Sequence, residues 1–146
     1  MANPLVSQGT LNRLRASVTV PGNTALNITP AYMGKQFVTV TFEGNFDDLI
    51  PTATGGVTSP EPYVMANVSI GLLRTQSLST SWLTQAKASS DIGNVSIFPD
   101  SSAFPEIDLV NCVIQHIDPG AYDGMDPVVR LTIRGIFYIN NDLWTA

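Results

Sequence analysis

Charge is scarce in this chain. Only 13% of its 146 residues are Asp, Glu, Lys or Arg, about half the share usual in soluble domains. A surface made of Ser, Thr, Asn and Gln is less costly to bury between subunits than a charged one. The same composition also suits an ordinary low-charge globular protein. The net charge of −5 argues against a surface that wraps nucleic acid by neutralising its phosphates. It leaves room for a surface along which DNA passes without sticking.

Cysteine is equally scarce. A lone Cys112 excludes an intrachain disulfide, so the chain does not depend on an oxidising compartment. No Cys/His spacing fits zinc. Long apolar runs of the kind that span a membrane are missing. The start, Met1 to Gly9, lacks the basic end and apolar core of a signal peptide, so a cytoplasmic origin is expected. Asn27-Ile28-Thr29, Asn67-Val68-Ser69 and Asn94-Val95-Ser96 then read as strand and turn residues rather than glycosylation acceptors.

The usual signs of chemistry are absent too. The single histidine, His116, lies within an apolar strand pattern, where packing or surface roles outnumber catalytic ones. There is no nucleophile elbow, no phosphate-cradling glycine loop, and no aromatic-basic patch for single strands. Cys112 has no basic neighbour in the sequence to stabilise a thiolate. Asp118, Asp123 and Asp126 cluster in one turn, but their order is not that of a calcium loop. Aspartates in turns have a local reason, since they accept hydrogen bonds from nearby amides. No catalytic, cofactor-binding or metal-binding residue is expected, and the chain reads as a protein without enzymatic activity.

What is present is alternation. Val129, Leu131, Ile133, Phe137 and Ile139 share one parity, with Arg130, Thr132 and Arg134 on the other. That is a strand of about a dozen residues. Leu14, Ala16, Val18 and Val20 alternate with Arg13, Arg15, Ser17 and Thr19, and Phe37 to Phe42 alternates again. The run Ala25 to Ile28 is expected to pair nearby. Tyr63 to Leu73 forms a strand, followed by the one convincing helix at Ser77 to Ala88. Leu78, Trp82 and Ala86 make its apolar stripe, and Thr75 or Ser77 is positioned to cap it. Asn94 to Phe98 and Ile107 to Ile117 are further strands. In the latter the inward parity shifts between Leu109 and Val110, which predicts a bulge.

The segment Gly44 to Pro62 differs from the rest. It holds three prolines, three glycines and the pair Asp47-Asp48, yet also apolar Phe46, Leu49, Ile50 and Val57. Loops this long in compact domains are commonly functional, and disordered linkers rarely carry such apolar residues. It reads as an extended loop or irregular hairpin that docks on something else; the alternative is a loop folded back on its own domain. The whole chain is expected to be one domain, an antiparallel β-sandwich or barrel with one short flanking helix.

This order of elements, ending in Pro127-Val-Val-Arg-Leu-Thr-Ile-Arg-Gly-Ile-Phe-Tyr-Ile-Asn140, resembles the tail tube proteins of long-tailed bacteriophages, most closely the inner tube of contractile tails. The resemblance implies homohexameric rings, in which inner sheets join edge to edge into one barrel and rings stack into a conduit for DNA delivery. It implies a virion protein assembled in the bacterial host cytoplasm, with itself as chief partner. Sheath, baseplate and terminator proteins would be neighbours, and DNA would pass without specific binding. The long loop, with Phe46, Asp47, Asp48, Leu49, Ile50 and Val57, would reach the next ring. Arg13, Arg15, Arg130 and Arg134 would make intersubunit or outer polar contacts rather than line the lumen. Another tail structural or adaptor protein, such as a terminator, and a β-sandwich ligand-binding module are the alternatives.

Overall fold

A computed structural model describes residues 16–99 and 105–144; Arg13 and Arg15 lie outside these residues. Alternating sequence becomes strand throughout. In chain order the strands are β1 (Ala16–Thr19), β2 (Met33–Glu43), β3 (Asp47–Pro51), β4 (Gly56–Pro60), β5 (Tyr63–Leu73), β6 (Asp91–Pro99), β7 (Ile107–Asp118) and β8 (Val128–Tyr138). Helix α1 (Ser77–Ala88) lies between β5 and β6, and a single turn, α2 (Asn141–Trp144), follows β8. Six strands form one antiparallel sheet in the order β1-β6-β7-β8-β5-β2, while β3 and β4 pair only with each other. The large sheet curls into a half-barrel, so the fold is mainly β with one short helix. Of the sandwich or barrel expected, the curled single sheet is the form adopted.

One face of this sheet carries the core. Val64, Ala66, Val68, Ile70 and Leu72 of β5 are buried, and register sets Ala66, Val68 and Ile70 opposite Gly135, Ile133 and Leu131 of β8. Leu78 and Trp82 bring α1 onto the same cluster, with Trp82 almost fully enclosed. The helix begins without the expected cap. Gln76 occupies the N-cap position and makes no side-chain hydrogen bond, and Ser79 Oγ donates to its carbonyl. Neither Thr75 nor Ser77 serves, because the chain leaves β5 through a turn closed by Gln76 N–H donating to Leu73 O. Ile28 pairs with Val18 through two backbone hydrogen bonds of 2.9 and 2.7 Å, as the run Ala25 to Ile28 suggests.

Strands β2 and β6 begin earlier than expected, β2 at Met33 rather than Phe37 with a register shift between Met33 and Val38, and bulges interrupt both β6 and β7. Strand β6 starts at Asp91, three residues before Asn94. The register slips around Gly93, whose φ is +78°, so buried Ile92 and Val95 do not fall on one parity. In β7 the slip centres on Asn111, at φ +52°. Burial passes there from Leu109 to Cys112, one residue beyond the predicted break. No helix among the described residues is long and apolar enough to cross a membrane.

Candidate functional site

The segment between β2 and β5 is a hairpin standing apart from the main sheet. Asp47 pairs with Pro60, Leu49 with Thr58, Ile50 with Val57, and Pro51 with Gly56. Thr52 N–H donates to Gly55 O at 2.8 Å to close the tip. Side chains alternate along β3, so Asp47 and Leu49 share one face and Asp48, Ile50 and Val57 the other. Gly56 makes room for Leu49, since a Cβ there would sit 2.8 Å from its Cδ1. Leu49 is 71% exposed, Val57 55% and Ile50 50%. Exposed apolar residues gathered in one element mark an interaction surface.

The root of the hairpin is fixed while its tip is bare. Glu61 N–H donates to Phe46 O at 3.0 Å, and the Phe46 ring meets Phe42 edge-on at 5.6 Å. Asn140, just past β8, donates through Nδ2 to Phe46 O and to Glu61 O, at 3.0 and 2.8 Å. Asp47 and Asp48 brace the hairpin internally: Asp47 Oδ1 accepts from Ser59 N–H and Asp48 Oδ1 from Asn45 Nδ2, both at 3.1 Å. Phe46 thus packs partly at home. Leu49, Ile50 and Val57 meet no cover of this kind among the described residues.

Arg130 and Arg134 lie on the face of β8 that turns from the core, and both hold carboxylates of their own chain. Arg130 Nη1 lies 3.4 Å from Asp126 Oδ2, and Arg134 Nη2 2.5 Å from Glu43 Oε2. Asn67 Nδ2 donates to the other oxygen of Glu43. That hydrogen bond, with Arg134 adding to it against an opposing desolvation, holds the Glu43 carboxyl below its ordinary value. Asp126 is lowered similarly, first by the Val128 N–H and then by Arg130 and Arg74.

Cys112 is fully buried, and burial pushes its thiol up to about 11. His116 is exposed on β7. The three turn aspartates face their own backbone: Asp118 Oδ1 accepts from Gly120 N–H, Asp123 Oδ1 from Met125 N–H, and Asp126 Oδ1 from Val128 N–H. Among the described residues no three His, Cys, Asp or Glu side chains gather as metal ligands would. Asn140 is the residue sequence reasoning misses; the nearest signal is the Asn140-Asn141 pair directly after a long alternating strand.

No protein-family profile matches the chain, and no curated protein sequence matches it.

Proposed function

We propose that this chain is a structural protein that joins copies of itself into rings stacked as a tube, in the manner of a phage tail tube. The reading rests on one observation above others: a rooted hairpin whose tip presents Leu49, Ile50 and Val57 uncovered. Water contact with those side chains is unfavourable, and a second subunit removes it. The outer margin of β2 supports the lateral contact. Among the described residues, β2 ends the sheet order and no strand pairs its outer edge, an eleven-residue margin whose backbone groups a neighbour's strand would satisfy. Hexameric rings joined this way form the conduit, with sheath, baseplate and terminator proteins around it in the virion. An acidic balance of −5 lets DNA pass without being held.

Sedimentation velocity and negative-stain microscopy of the full chain test the reading. Rings or hollow tubes are the expected result. A monomer that persists at high concentration overturns it and favours a ligand-binding module.

A further inference from the structure

A cavity of about 390 Å³ lies at the end of the sheet opposite the hairpin. It sits between the start of α1, the end of β7 and the start of β8. Its walls include Ser79, Leu83, Ile117, Tyr122 and Val129, and Arg74 is the one charged residue among them. The arginine is held in place. Its Nη2 donates to Pro119 O, and its guanidinium lies 5.4 Å from the centre of the Tyr122 ring. Tyr122 is 89% exposed. Asp118, Asp123 and Asp126 stand in the adjoining loop, each with one oxygen turned to an amide of its own turn. Asp126 faces both Arg130 and Arg74, so Arg74 is partly offset within its own chain.

The hairpin carries the complement of this cavity. Asp48, Ile50 and Val57 share one face of it, a carboxylate beside two exposed aliphatic side chains. Asp48 uses only Oδ1 internally, on Asn45. The two surfaces are separated by the length of β5, whose first residue follows the hairpin and whose last precedes Arg74. Eleven residues of strand span about 33 Å, so a subunit cannot seat its own hairpin in its own cavity. A second copy can.

We propose that the cavity beside Arg74 receives the Asp48–Ile50–Val57 face of the hairpin from another copy of this chain. The inference rests on the tube reading and names the receiving surface. Aliphatic side chains fill the apolar walls while Asp48 meets the Arg74 guanidinium, a pairing that fixes orientation as well as attraction. A knob at one end and a socket at the other make a head-to-tail contact, which does not close on itself when copies are stacked along the strand direction. It therefore propagates as an open polymer.

Charge reversal tests the pairing in the full chain. Arg74→Asp and Asp48→Arg, each alone, are expected to raise the protein concentration needed for tube growth roughly tenfold or more, and the double variant to restore it. Since Arg74 also holds Pro119, a second measurement avoids it: oxidation of Ile50→Cys/Leu83→Cys. That variant is expected to give a ladder of covalent multimers, which Leu83→Cys alone does not. Wild-type protein that never forms tubes overturns the tube reading and this seat with it. Wild-type tubes with single reversals that grow normally, or no ladder from the cysteine pair, overturn the seat alone.

Discussion

Asn140 Nδ2 lies 3.0 Å from the Phe46 carbonyl, although 94 residues separate the two in sequence. The same amide reaches Glu61 O, so one side chain at the end of β8 ties both legs of the hairpin. Asn140 adopts φ +53°, a left-handed conformation that asparagine tolerates better than other side-chain-bearing residues.

Replacing it separates clamp from backbone. Asn140→Gly removes only the clamp, whereas Asn140→Ala also strains the backbone by roughly 1 kcal/mol. Amide exchange at Glu61 is expected to quicken in both variants. Global stability by urea unfolding should fall further in the alanine variant. Unchanged exchange at Glu61 would show that the root does not depend on Asn140.

Gly135 explains how β8 passes the bulge of β7. A Cβ at this position would sit 2.5 Å from Cys112 Sγ and 3.0 Å from Leu109 Cβ. Gly135→Ala should therefore destabilise by about 1–3 kcal/mol, the usual effect of overpacking a filled core. Adding Cys112→Ala removes the nearer obstacle, so the pair should be less destabilised than the sum of the single changes. Denaturant midpoints of the four proteins check this, and strict additivity would mean the two sites do not touch.

Glu43 should titrate below its ordinary 4.5, mainly because Asn67 donates to it. Its folded value is depressed, so the favourable contribution is present above the unfolded value and fades as pH falls through the folded one. In Asn67→Ala the carboxyl should move back toward 4.5, read by NMR of the side-chain carbon. A value unchanged by that substitution would leave Arg134 as the dominant influence.

Much of this fold follows from periodicity. Strand β5 and helix α1 have the bounds the sequence predicts, because apolar residues recur without interruption at period two and then at four-residue spacing. The start of β6 is hidden by the bulge at Gly93, which breaks the parity that marks a strand. The hairpin is legible as an apolar, outward-facing segment, but not as two regular strands. Pro51, Gly55, Gly56 and Pro60 are residues that argue against strand until the pairing is seen. Asn140 and the Arg74 cavity are assembled from residues far apart in the chain, and no local pattern announces either.

The hairpin tip decides the account. Sedimentation velocity should be run on Leu49→Ser/Ile50→Ser/Val57→Ser beside wild type, with the denaturant midpoint of each measured in parallel. The variant is expected to keep the wild-type midpoint and to stop at single rings, while wild type grows into tubes. Tubes of unchanged length from the variant, or a variant that unfolds because these side chains pack at home, would contradict it.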